Sequence, residues 1–195
     1  MTPPVQSDRR DHLLNTAETL FCKHGFQAVG IDRLLKEAGV AKMTLYKHFP
    51  SKDELIATVL HRKSAAWHKA FWAQVEKTTP DPKGQLLGLF DVIADWLGSA
   101  ERENFRGCAF GNAISEFADP SHPARKAATE HKDQVLEGLT RLTAQTQAND
   151  PAQLAEQLML LIEGVTATVQ ASGRLEAIDA TITAADALIN CAIKP

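Results

Sequence analysis

Ile31-Asp32-Arg33-Leu34-Leu35-Lys36-Glu37-Ala38-Gly39-Val40-Ala41-Lys42-Met43-Thr44-Leu45-Tyr46-Lys47-His48-Phe49 decides how this chain is read. Residues 31–38 and 42–48 have the apolar spacing of two short helices, and Gly39 supplies the tight turn between them. Ile31, Leu34, Leu35, Ala38, Val40, Leu45 and Phe49 make a small shared core. The second helix packs through one face and offers Lys42, Met43, Thr44, Tyr46, Lys47 and His48 outward. A short helix with a free polar face, braced by a partner across a sharp turn, is the geometry that enters a DNA major groove.

The flanking residues complete a head of three helices. Upstream, Leu13, Leu14, Ala17, Leu20 and Phe21 make one buried helical stripe that braces the pair. Residues 1–7 read as a disordered arm. Downstream, Ser51 is a good N-cap, and Glu54 three residues later completes a capping box. Lysines 42, 47 and 52 suit phosphates. Lys42, Met43 and Thr44 lie at the helix start, where base edges are nearest.

Charge follows the same division. Residues 1–63 hold ten Lys/Arg against seven Asp/Glu, whereas the remainder holds eleven against seventeen, within a total of −3. A basic front on an acidic body fits a DNA-binding head joined to a domain that does not bind DNA. The length of 195 residues is enough to bury a core without metal or disulfide. Cys22, Cys108 and Cys191 are odd in number and show no metal spacing. This implies free thiols in a reducing compartment. The N-terminus lacks a secretion signal and no apolar run reaches membrane-spanning length, so a cytoplasmic location is expected.

Beyond the head the periodicity is helical throughout, with no period-two strand. A long helix runs toward Lys77, and Thr78–Gly84 reads as a loop. Helices follow over about 85–99, 109–117 and 124–147. Asp150-Pro151 reads as cap and first turn for a helix over 152–172, and a last helix spans 176–193. The expectation is an all-α protein of about nine helices: a helix-turn-helix domain at 1–50 and a ligand-binding and dimerisation bundle at 51–195.

From Ala38 to Leu55 the string Ala-Gly-Val-Ala-Lys-Met-Thr-Leu-Tyr-Lys-His-Phe-Pro-Ser-Lys-Asp-Glu-Leu resembles the TetR-type transcriptional regulators. The shared features are the glycine-valine turn, the Thr-Leu-Tyr centre, the His-Phe ending and the Ser-Lys-Asp-Glu-Leu cap. The resemblance covers residues 8–60 and implies a homodimer, a helical ligand-binding body and repression relieved by a small molecule. Carried over by position, Thr44, Tyr46, His48 and Lys52 are DNA contacts, joined by Lys42, Met43 and Lys47. Leu45 and Phe49 match structural positions. Two residues depart from the pattern. Ala41 replaces the serine that commonly caps the reading helix, and Val29-Gly30 replaces the Thr/Ser cap of the helix before it.

A regulator of this kind must couple a cavity to the spacing of two heads, which should lie about 34–36 Å apart or a multiple of it on a pseudo-palindromic operator. Trp67, Phe71, Trp72, Phe90, Trp96, Phe105, Phe110 and Phe117 supply large apolar surface to the body. They either fill its core or line a pocket for an apolar or aromatic effector. The candidate lining is Trp67, Phe71, Trp96, Phe105, Cys108, Phe110 and Asn112. The Arg106-Gly107-Cys108 string resembles a segment in one branch of the same family. Cys108 is either a small buried thiol or a sensor of electrophiles or oxidants, its thiolate favoured by a helix N-terminus and Arg106.

Glu116, Asp119, His122, Glu130 and His131 match no metal-ligand spacing and read as solvated helix surface and loop. A Cys108 nucleophile with His131 as base would need a proximity that no motif supports. Neither an enzyme nor a cofactor is therefore expected. The apolar stripes at Leu158, Leu161, Ile162, Val165 and Val169, and at Ile178, Ile182, Leu188, Ile189 and Ile193, suit either an intrachain bundle or the four-helix dimer face that the resemblance implies.

Overall fold

The computed structural model describes residues 6–99 and 106–193. Among them are nine helices: α1 (Gln6–His24), α2 (Ile31–Ala38), α3 (Lys42–His48), α4 (Lys52–Thr78), α5 (Pro82–Ser99), α6 (Ala109–Glu116), α7 (Pro123–Thr143), α8 (Pro151–Ser172) and α9 (Glu176–Ala192). The described residues contain no strand beyond a single bridge between Ala148 and Ile193. None of the described helices is long and apolar enough to cross a membrane.

Local chemistry sets most boundaries. The Ser51 hydroxyl accepts the Glu54 amide at 3.1 Å, and the Asp150 carboxylate accepts the Gln153 amide at 3.0 Å. Both are N-caps that satisfy otherwise orphaned donors. Gly39 closes α2 at φ +62°, in the left-handed region that a β-carbon disfavours. Gly30 and Ala41 hold extended N-cap backbone with no side-chain cap.

Three boundaries differ from the sequence expectation. α1 already includes Gln6 and Ser7, which the periodicity assigned to a disordered arm. α5 starts at Pro82, inside the segment read as loop. There Asp81 acts as the cap, its carboxylate accepting the Gly84 amide at 2.7 Å, and Pro82 takes the first turn, where no N–H is needed. α7 ends at Thr143 rather than 147. Past it the amides of Gln145 and Thr146 turn to carbonyls three residues back, at 3.1 and 3.0 Å. The Thr143 hydroxyl meanwhile binds the Pro151 carbonyl at 2.8 Å.

The chain divides into two compact units, one of Met1–Ser64 with Ala109–His131, the other of Ala65–Cys108 with Lys132–Pro195. In the first, α1 packs on α2. Leu13, Leu14, Phe21, Leu34, Leu45, Phe49, Leu55 and Leu60 are buried there. In the second, α5, α8 and α9 pack together around Leu86, Leu89, Phe90, Leu154, Leu158 and Ile189.

Candidate nucleic-acid interface

α3 is only seven residues long, too short to hold itself as an isolated helix. Its order comes from Leu45 and Phe49, both buried, which pin one face into the head. The opposite face is open. Met43 is 85% exposed and Tyr46 44% exposed, and Lys42 and Lys47 lie in solvent. Thr44 and His48 are half-buried at the flanks. The Lys42 ammonium stands 6.0 Å from the centre of the Tyr46 ring, on the same exposed face. The first turn of α3 has no acidic residue, and its last turn carries Lys47 and His48.

Lys52 begins α4 and is half-buried. Its ammonium donates to the Gln27 carbonyl at 3.4 Å. Burial lowers its pKa from the ordinary lysine value, opposed by the charges of Asp53 and Glu116.

Two residues that the sequence reading passed over brace this face. The Arg10 guanidinium lies 5.3 Å from the centre of the Phe49 ring, and His12 Nε2 is 3.0 Å from the Ala38 carbonyl at the end of α2. The adjacent basic pair Arg9-Arg10 was a visible signal. The His12 contact spans 26 residues and left no mark in the sequence.

Two histidines correct the sequence reading, which placed them on solvated surface. His131 is buried. Its ring stacks on Phe110 with centroids 3.5 Å apart, and its Nδ1 is 3.0 Å from the Ser64 hydroxyl. It falls on the apolar face of α7, three and four residues beyond Ala128 and Ala127. His122 stacks on Phe117 at 4.1 Å and has its Nε2 3.4 Å from the Asp53 carboxylate. No cluster of three or more His, Cys, Asp or Glu among the described residues is placed to hold a metal ion.

The candidate effector residues divide between the units. In the second unit Trp67 and Phe71 stack at 4.4 Å with planes 11° apart, and Trp72 meets Phe71 edge-on at 5.1 Å. Phe71 is buried, and Trp67 and Trp96 are half-buried. Cys108, also half-buried, has the Lys132 ammonium 3.5 Å from its sulfur. Lys132 in turn pairs with Glu163 at 2.5 Å. Phe110 and Asn112 belong to the first unit, where Phe110 is buried against His131. Phe105 lies outside the described residues.

Residues 13–59, which include α2, α3 and Lys52, match the family model for bacterial regulatory proteins of the tetR family. Residues 86–185 match the tetracyclin repressor-like C-terminal domain. The chain belongs to the TetR family. Among curated proteins, it is 25% identical over 190 residues to the HTH-type transcriptional repressor NemR of Escherichia coli, covering 92% of each chain. It is 35% identical over 89 residues to the repressor KstR2 of Mycolicibacterium smegmatis, covering 46% of this chain and 43% of that one. Among solved structures, SCO4454, a TetR-family regulator from Streptomyces coelicolor, superposes with a TM-score of 0.83 at 31% identity. That match covers 96% of this chain and 97% of that one. The reduced form of E. coli NemR superposes with a TM-score of 0.79 at 25% identity, covering 96% and 98%. The chain is thus a TetR-family transcriptional regulator with a helix-turn-helix, and α2 and α3 both fall within the matched head.

Proposed function

We propose that this TetR-family chain is a cytoplasmic, homodimeric repressor that leaves a pseudo-palindromic operator when a small apolar or aromatic molecule binds its body. The open face of α3 carries the reading. A soluble protein gains nothing in folding from leaving Met43 and Tyr46 in water beside two unpaired-face lysines, but a groove-reading helix needs them there. Met43 offers apolar contact to a thymine methyl group. Thr44, Tyr46 and His48 donate to backbone oxygens, and Lys42, Lys47 and Lys52 meet phosphates. The head at 1–50 reads DNA, and the remainder senses the effector and dimerises.

The dimer face is read on α8 and α9. Leu154, Leu158, Ile162, Val165 and Val169 turn α8 inward, whereas Leu160 is 69% exposed and Gly164, Ala167 and Ala171 are also exposed. Small residues beside an exposed leucine permit close helix approach. The Trp67–Phe71–Trp72 cluster supplies flat apolar surface for an aromatic effector. No residue is assigned a catalytic role.

A second reading, in which Cys108 senses an electrophile or oxidant, is favoured by its contact with the Lys132 ammonium 3.5 Å from the sulfur, which a modified thiol would disrupt. Burial raises the pKa of the Cys22 thiol above its ordinary value. Under this reading a Cys108→Ser repressor is insensitive to N-ethylmaleimide, and under the first its response to effector is unchanged.

Gel shifts against the DNA upstream of the protein's own coding sequence test the main reading. Affinity falls steeply with salt as phosphate contacts release counterions. Lys47→Gln lowers the salt slope by about one unit. Lys63→Gln, whose ammonium is 3.3 Å from Glu18, leaves it unchanged. Equal slopes for the wild type and Lys47→Gln refute the assignment.

A further inference from the structure

Glu116, the last residue of α6, reaches across the first unit to the turn that feeds the helix-turn-helix. The turn follows α1 through Gly25 at φ +89°, where the Gly25 amide closes α1 on the Phe21 carbonyl at 2.8 Å. The next two amides are taken by one carboxylate. Phe26 N–H donates to Glu116 Oε1 at 3.2 Å, and Gln27 N–H donates to Glu116 Oε2 at 2.7 Å. The Gln27 side-chain amide donates back to the Glu116 main-chain carbonyl. Bonds to an ionised acceptor are short and strong, and two from consecutive amides fix orientation as well as distance.

Three neighbouring contacts grip the same region. The Phe26 ring tilts against Phe117 at 6.2 Å. His122 Nε2 lies 3.4 Å from Asp53 in the first turn of α4. Lys52 ties the Gln27 carbonyl to that turn at 3.4 Å. A β-carbon at Gly25 would lie 3.0 Å from Glu116 Oε1, so the turn has space for the carboxylate and little more.

We propose that Glu116 is a positioning residue for DNA reading: its carboxylate clasps the turn before α2, so that α6 and the helix-turn-helix move as one body. The proposal rests on the DNA-reading assignment above. Glu116 touches no DNA itself. It sets the pose from which α3 meets the groove. Because the Gln27 amide is near the surface, water replaces its lost acceptor, whereas the part-buried Phe26 amide is left short of one. The clasp therefore governs pose, with a moderate contribution to stability through Phe26.

The test compares wild type, Glu116→Gln and Glu116→Ala as full-length protein, each checked for native helical content by circular dichroism. Amide hydrogen exchange is read at Phe26 and Gln27, and affinity is read for the upstream operator duplex and for a scrambled duplex of equal length. The expected result for Glu116→Ala is exchange at both amides at least tenfold faster. Operator affinity falls about tenfold, scrambled-duplex affinity is unchanged, and the thermal midpoint falls by only a few degrees. Glu116→Gln keeps one acceptor oxygen and falls between, and it decides the matter if the alanine variant does not fold. Unchanged exchange at Phe26 and Gln27 overturns the clasp. Faster exchange with full operator affinity overturns the positioning role. A wild-type protein that prefers no duplex overturns the DNA reading and this role with it, while protection at the two amides would still report the clasp.

Discussion

Replacing Ala41 with serine should stabilise the reading helix, and the size of the gain follows from the cap geometry. Ala41 holds φ −73° and ψ 151°, the extended backbone of an N-cap residue, with its side chain exposed and no side-chain cap bond. A serine there can accept an amide of the first turn of α3 without moving the chain. Alanine against serine at an N-cap is worth about 0.5–2 kcal/mol in general. Here the gain belongs in the lower half of that range. The Thr44 amide, the usual recipient, already donates to the Ala41 carbonyl at 2.9 Å, so the hydroxyl shares a satisfied donor. A gain of about 0.5–1 kcal/mol is expected. In a chain of this size that raises the thermal midpoint by roughly 1–4 °C. Thermal and urea unfolding at one fixed protein concentration measure the gain, because dimerisation makes the midpoint concentration-dependent. Amide exchange at Thr44 should slow, and operator affinity should rise by no more than about fivefold for each head engaged, since 1.4 kcal/mol is tenfold. An unchanged or lower midpoint, with Thr44 exchanging as before, would refute the argument that α3 lacks only a cap.

Three further outcomes are expected. Gly39→Ala should cost about 1–2 kcal/mol, the left-handed backbone penalty at φ +62°. No atom lies within 4 Å of the β-carbon position, so Gly39→Asn should recover part of the loss, and a neutral alanine variant in urea unfolding contradicts the assigned turn. Leu160→Glu should yield monomers by sedimentation velocity while leaving helical content intact, and a persistent dimer rules out α8 as the dimer face. The third outcome concerns Asp119, whose carboxyl is held below its ordinary pKa, first by the Ser121 amide, then by the Ser121 hydroxyl, with His122 and Lys126 adding their charges. A depressed folded pKa means a stabilising contribution that is complete above the unfolded value of about 3.9 and lost as pH falls through the folded one. Asp119→Asn should therefore flatten the decline of the unfolding midpoint below about pH 4, and identical acid profiles count against it.

Much of the head was legible because its determinants are local. In the head, Gly39 turns the chain and the Ser51 hydroxyl takes the Glu54 amide, all within four residues; in the second unit Asp150 and Pro151 start α8 in the same local way. The start of α5 was misread for a related reason. Asp81-Pro82 is a helix start, but it sits among Thr, Pro and Gly residues that together read as loop. His131 failed differently. Beside Glu130 and Lys132 it looks solvated, yet the helical period turns it inward onto Phe110 and Ser64.

Amphipathic period and cap chemistry were enough to define an all-α chain, and the resemblance of residues 38–55 to TetR-type regulators pointed to a DNA-reading front. Those signals are written within single turns of helix, where neighbours in sequence are neighbours in space. The carboxylate of Glu116 on the amides of Phe26 and Gln27, the ammonium of Lys132 at Cys108 and the ring of His131 on Phe110 were invisible until the helices packed. Each joins groups 21 to 90 residues apart, and a single sequence holds no record of which distant polar groups packing will bring within 3 or 4 Å.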